Sequence, residues 1–299
     1  MALSISDFFQ GGQTPTLDMT RDTLSFNWRQ CVICMVVGGL SQALARGEAD
    51  HSPDHLQSLI ETAELRIDRD PQQAYQAFLD AIEAVGETAP KSTLAELRYQ
   101  LGIAAFRADR VREAIEMGYE VRSIADDIAD PALVIKANEL VSKGLSLYGD
   151  YEEALKLNLE NVRLAREIGD AYEEYDALHD AGVIYWTMKD WDASVRSLQQ
   201  AFDTKPESHP HGFADYNNLG LAHLEAGDPE RAKALFLKAL DGVEDREQDY
   251  QKALVLSNLG DLRQRQGLLD EAMDYLEASL RLARVLDNSW IVSRSLRHK

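Results

Sequence analysis

No cysteine occurs beyond residue 34 of this 299-residue chain. A disulfide framework or a thiolate metal site is excluded from everything that follows it. The two cysteines present, Cys31 and Cys34, stand as C-x-x-C inside CVICMVVGGL. That spacing serves a redox dithiol or half a zinc site only where the segment joins the folded protein. Long apolar runs are missing too. The densest, Cys31 to Leu40, is ten residues long and broken by Gly38 and Gly39. A helix needs about 18–20 apolar residues to cross a bilayer. Bases are scarce: 31 Lys and Arg stand against 51 Asp and Glu, a net charge of −20. Such a surface repels phosphate backbones and anionic headgroups, which makes nucleic acid and membranes poor partners and favours a basic one.

Catalytic signatures are absent as well. There is no phosphate loop, dinucleotide fingerprint, G-x-S-x-G elbow or H-E-x-x-H pair. Adjacent acids such as Glu152 and Glu153 face different directions on a helix and cannot work as an acid/base pair. His209 and His211 form an H-x-H near Glu207. No third ligand is evident from spacing, so they read as a solvated connector. The chain is expected to be no enzyme and to hold no metal or cofactor.

What the chain has is repetition. The segments RVREAIEMGYEVRSIADDIADP (110–131), DYEEALKLNLENVRLAREIGDA (150–171) and LLDEAMDYLEASLRLARVLDNS (268–289) share an E-A start and apolar residues at three- and four-residue steps. A small residue recurs at Ala74, Ala114, Ala154, Ala193, Ala232 and Ala272, in steps of 40, 40, 39, 39 and 40. Twelve residues before each stands a second, mostly small residue: Thr62, Gly102, Ser142, Ala181, Gly220 and Gly260. Two amphipathic helices per repeat, crossing closely at these two points, account for both series. Gly149, Gly227 and Gly267 sit where a helix must stop. Asp70-Pro71, Asp130-Pro131 and Asp228-Pro229 read as an N-cap followed by the first helical residue, and Asp150 as a further N-cap. Met188 and Lys189 replace the glycine in one connector, which predicts a tighter or less regular turn.

The series resembles the tetratricopeptide repeat family over about residues 54–299. The likeness is strongest in NNLGLAHLEAGDPERAKALFLKAL (217–240), where Leu219, Gly220, Gly227, Ala232 and Ala239 occupy the family's L-G, G and A positions. The step exceeds the family's usual length of about 34 residues and is similar to the longer repeats of kinesin light chains and bacterial signalling proteins. The resemblance implies an all-α, right-handed superhelical solenoid of antiparallel helix pairs, about six here, with an incomplete terminal helix. It also implies a scaffold that binds a protein or peptide in a concave groove lined by the first helix of each pair. In similar bacterial proteins a transmembrane helix and a cyclase or kinase domain often follow. The alternative function is therefore the sensory half of a signalling protein whose output domain lies elsewhere.

Counting along each first helix places Tyr99, Phe106 and Arg107, then Lys136 and Lys143, on the expected groove. Further on come Tyr175, Tyr185 and Trp186, then Asn217, then Asp261 and Arg265. Aromatic anchors carry a disproportionate share of interface energy. The alternative for Tyr185 and Trp186 is a place in the core between repeats. The resemblance further implies that Asn217, Asn218 and Asn258 hold the backbone of a bound peptide, since a carboxamide both donates and accepts. The alternative for Asn218 and Asn258 is a local bond between neighbouring helices. Replacing Tyr185, Trp186 and Asn217 together is expected to abolish capture of the partner without disturbing folding.

Residues 1–45 lie outside the repeats, with 46–53 as a linker. From Met19, Arg21 and Arg29 precede CVICMVVGGL and then Ala43-Leu44-Ala45, the three parts of a secretory signal peptide. This predicts a periplasmic or secreted protein, with Met19 as a possible true start. The competing readings are a cytoplasmic helix packed on the first repeat and an uncleaved anchor. On the export reading both cysteines leave with the leader. At the other end SWIVSRSLRHK (289–299), with Trp290, Ile291 and Leu296, reads either as a short lid or as the start of another repeat.

Overall fold

The computed structural model describes residues 53–86, 89–209, 211–242, 249–286 and 291–292. The leader with Cys31 and Cys34 lies outside them, as do Trp290 and Leu296. Every regular element among the described residues is a helix. These are α1 (Pro53–Arg66), α2 (Pro71–Val85), α3 (Lys91–Arg107), α4 (Val111–Ile128), α5 (Pro131–Tyr148), α6 (Tyr151–Ile168), α7 (Ala171–Thr187), α8 (Trp191–Thr204), α9 (Phe213–Glu225), α10 (Pro229–Asp241), α11 (Asp249–Arg265) and α12 (Leu269–Val285). They fall into two compact units, whose described parts are residues 53–168 and 169–292. In each unit consecutive helices pack as pairs, α3 on α4 and α9 on α10 for example.

The connectors explain the boundaries. Asp70, Asp130 and Asp228 cap their helices, each carboxylate accepting the backbone N–H three residues on, with proline directly after. The preceding helix closes with a backbone bond reaching back five residues, as from Asp150 N to Leu145 O (3.0 Å) and from Asp228 N to His223 O (2.8 Å). That closure needs a left-handed residue, supplied by Gly149, Gly227 and Gly267 at φ 85°, 84° and 76°. The Met188-Lys189 turn departs from the sequence expectation. It is of the same type, with Asp190 N bonded to Tyr185 O at 3.0 Å and Lys189 held at φ 65°. The closing bonds hold a side-chain-bearing residue in a conformation that costs it about 1–2 kcal/mol.

The twelve-residue relation is visible as contact. Ser142 Oγ donates to the Ala154 carbonyl at 3.2 Å, and a Cβ added to Gly260 would stand 3.4 Å from the Ala272 carbonyl. All six anchor alanines are buried, so both contact points are small because the two backbones nearly touch. Around them sit the apolar cores, such as Leu224, Ala232, Phe236, Val255, Leu259 and Leu262 in the C-terminal unit. Ile291 is fully buried against Ala253 and Ala283, so the terminal segment packs down onto α11 and α12 at that residue.

Polar contacts repeat at the same period. Tyr175 bonds Asp215, Asn218 bonds His179 and Arg265 bonds Glu225, at separations of 40, 39 and 40 residues. Each joins neighbouring first helices. Among second helices, Arg122 makes two parallel bonds to Glu160 at 2.7 and 2.8 Å. Both groups are half-buried, and beside them Asn138 bonds Asn161 at 2.8 Å.

Candidate functional site

In the N-terminal unit the expected groove residues are largely committed to one another. Lys136 Nζ lies 5.5 Å above the Tyr99 ring and 3.7 Å from the Glu96 carboxylate, so its charge is met by a π face and an acid. Lys143 pairs with Glu139 one turn earlier, and Arg107 lies 3.8 Å from Asp68. Phe106 and Tyr99 pack on the cluster of Ala105, Ala114 and Leu140. The two aromatics therefore join repeats as well as facing outward.

The C-terminal unit holds a more elaborate arrangement on α7, α9 and α11. His179 Nε2 lies 3.0 Å from Asn218 Nδ2. Asn217 donates to Asn218 Oδ1 at 3.2 Å, and Asn258 donates to Asn217 Oδ1 at 2.8 Å. This chain of side chains crosses three first helices. Asn217 and Asn258 are buried within it, whereas His179 and Asn218 are half-buried. Both Asn218 and Asn258 thus make bonds between neighbouring helices, and Asn217 receives one. Burial alone would lower the His179 pKa. The hydrogen bond to Asp180 and the carboxylates of Asp180, Asp176 and Asp215 raise it instead.

Beside it Tyr175 is buried, and its hydroxyl donates to Asp215 at 2.7 Å. Lys205, from the α8–α9 connector, reaches the same carboxylate at 2.7 Å and the Tyr175 oxygen at 3.2 Å. Its ammonium also stands 4.4 Å over the Tyr175 ring. Gly212 N–H adds a third donor to Asp215 at 2.7 Å. Burial would raise the Asp215 pKa, but these three donors hold its carboxyl below the usual value. Burial and the bond to Asp215 push the Tyr175 hydroxyl upward. Of the two connector histidines, only His211 departs from the expected solvated loop. His211 stacks on Phe202 with centroids 3.5 Å apart, and the exposed His209 lies 4.7 Å from the Tyr172 ring. A flat ring gains more from covering an aromatic neighbour than from water. Among the described residues no three His, Cys, Asp or Glu side chains converge as a metal site.

Trp186 packs on Leu198, Leu219 and Ala222 and meets Trp191 edge-on at 6.0 Å, while Tyr185 is half-buried. Asp261 is buried, and Arg265 joins it to Glu225 at 2.9 and 2.8 Å. Sequence reasoning passed over His179, Lys205, Asp215 and Tyr172. Asp215 was accessible, since it stands one full period after Tyr175. Lys205 carries no such signal, because it lies in the connector.

Residues 213–284 match the tetratricopeptide repeat family model. The array is of the tetratricopeptide-repeat type. A shorter stretch, residues 143–173, matches the model described as anaphase-promoting complex subunit 5. Human tetratricopeptide repeat protein 29 is 28% identical over 156 residues, half of this chain and 33% of that one. The chain thus spans about a third of the length of the curated relatives it matches. Among solved structures, the apo form of RapI superposes with a TM-score of 0.62 at 13% identity, covering 79% of this chain and all of that one. A Rap conjugation gene regulator of the plasmid pLS20, in complex with the Phr* peptide, gives 0.57 at 12% identity, covering 79% and 75%. At these identities the likeness is one of fold, and tetratricopeptide arrays of this kind are generally non-enzymatic scaffolds for protein interaction.

Proposed function

We propose that this tetratricopeptide array is a non-catalytic scaffold that binds a segment of another protein along the first helices α7, α9 and α11. The observation that carries the reading is the His179–Asn218–Asn217–Asn258 chain. Its buried members fix the register of three repeats, and its half-buried members hold an imidazole and a carboxamide at the surface without entropy left to lose. Tyr172, 36% exposed, stands one helical turn before Asp176 on the same helix. Helix α7 has four acids and no Lys or Arg, which suits a basic segment. The peptide held by the pLS20 regulator supports a peptide as the class of ligand for this fold. The export reading of the leader places the scaffold outside the cytoplasm, and N-terminal sequencing of the protein from its native cell tests that point.

Trp186 is packed and Asn217 buried, so the triple replacement suggested by the sequence would perturb folding. The better test is Tyr172→Ala with Asn218→Ala, together with photo-crosslinkers placed at Tyr172 or, as a control, at Lys156 on the second helix α6. The partner should crosslink from position 172, and the double variant should lose at least about tenfold in affinity at unchanged melting. Crosslinking from position 156 alone, or full affinity in the folded double variant, would remove the first-helix site.

A further inference from the structure

The line of side chains across α7, α9 and α11 has a direction. A carboxamide nitrogen only donates and its oxygen only accepts. Asn258 donates to Asn217, Asn217 to Asn218, and Asn218 Nδ2 to His179 Nε2. That last bond requires an Nε2 without a proton. The one proton of the neutral ring then lies on Nδ1, which stands 3.5 Å from Asp180 Oδ1. The neutral imidazole is the final acceptor of the line and sets its direction.

A second proton on the ring would set donor against donor, Nε2–H facing Asn218 Nδ2 across 3.0 Å. Turning the Asn218 amide over brings its oxygen to the imidazolium. The turned nitrogen then meets the Asn217 nitrogen instead. Asn217 and Asn258 are buried, where an unmatched donor costs about 1–3 kcal/mol. Only turning both of these amides as well removes the mismatch. The surroundings favour the proton. Asp176 and Asp180 on α7 and Asp215 on α9 raise the His179 pKa above the ordinary 6.5, and the Tyr175 ring stands 6.1 Å away. Lys205, from the α8–α9 connector, is paired with Asp215, and α11 contributes the Asn258 amide at the far end of the line.

We infer that His179 is a proton-operated switch: on gaining a proton it reverses the hydrogen-bond direction of Asn218, Asn217 and Asn258 together. The reversal changes what the surface offers. Asn218 is half-buried and makes no further polar contact among the described residues. With the neutral ring, its spare N–H lies on the His179 side and its spare lone pair on the Asn217 side. Reversal exchanges the two. A peptide carbonyl seated against that N–H would then meet a lone pair, so acidification would weaken a segment bound there. This consequence for binding rests on the scaffold reading, whereas the switch itself does not.

The test follows the full chain by NMR from about pH 9 down to about pH 5, the range in which imidazoles titrate. It reads the His179 ring nitrogens and the carboxamides of Asn217, Asn218 and Asn258. At high pH, Nε2 should give the resonance of an unprotonated nitrogen. On acidification all four residues should change with one midpoint, above 6.5. Two variants separate turned amides from the mere field of a new charge. In Asn218→Ala the line is cut, so His179 should still titrate while Asn217 and Asn258 stay unmoved. Asn218→Asp accepts from both sides, so the ring can gain its proton with the buried amides unturned. Its His179 midpoint should rise by at least about one pH unit. Asn217 and Asn258 amides that stay still at the His179 midpoint of the unaltered chain would overturn the inference. So would amides that move equally in Asn218→Asp. A working switch in a chain that gives no crosslinks from position 172 would overturn the scaffold reading alone.

Discussion

Asp215 is the residue whose loss should be felt most in the C-terminal unit. Its carboxylate is 4% exposed and takes three donors, from Lys205, Tyr175 and Gly212. Asp215→Ala leaves the Lys205 ammonium, itself 10% exposed, without its counter-ion. Breaking one partner of a buried pair costs about 3–5 kcal/mol. The Tyr175 ring under the ammonium offsets part of that, so a loss of about 3 kcal/mol is expected. Replacing both partners with apolar residues, Lys205→Met with Asp215→Leu, should recover most of it, since no buried charge is then left alone. Urea unfolding should be followed both by circular dichroism and by tryptophan fluorescence, because repeat arrays need not unfold in one step.

The same pair predicts a pH dependence. The folded carboxyl of Asp215 lies below its ordinary value of 3.8. Its contribution is complete above that pH and is lost as pH falls through the lower folded value. Asp215→Asn should lack this part of the acid limb. A loss under about 1 kcal/mol for Asp215→Ala, or a double replacement as damaging as the sum of the single ones, would refute the reasoning.

Two further outcomes follow from backbone geometry. Lys189→Gly should stabilise the fold by about 1 kcal/mol in urea titration, as relief of a left-handed side chain outweighs the greater chain entropy of glycine; no gain would mean that φ 65° carries no strain. Gly220→Ala should cost about 1–3 kcal/mol in the same assay, because the new methyl would stand 2.7 Å from the fully buried Phe236 ring.

The fold was legible because its constraints are local and recur. The glycine stops and aspartate caps announce every reversal they take part in, and the alanine period marks where helices cross. The Lys189 turn was misjudged, since tertiary closure imposed a conformation that its own residue disfavours. The site was legible only in part. Tyr175 and Asn217 were singled out by helical counting and Asn258 by the family resemblance, yet the structure uses them between helices, because first helices touch one another along the side that counting assigns to a groove. Lys205 and His211 act from a connector whose path no periodicity describes.

The period of the polar contacts bears on how such a chain can change. The two junctions are closed by different couples: tyrosine with aspartate between α7 and α9, and two asparagines together with arginine and glutamate between α9 and α11. The repeats share a backbone plan, but their joints are keyed. Transposing two of them would set aspartate against asparagine or glutamate against tyrosine and strand buried groups at both seams. Order along the chain is therefore written into the joints, so a repeat can be duplicated only together with the neighbour that answers it.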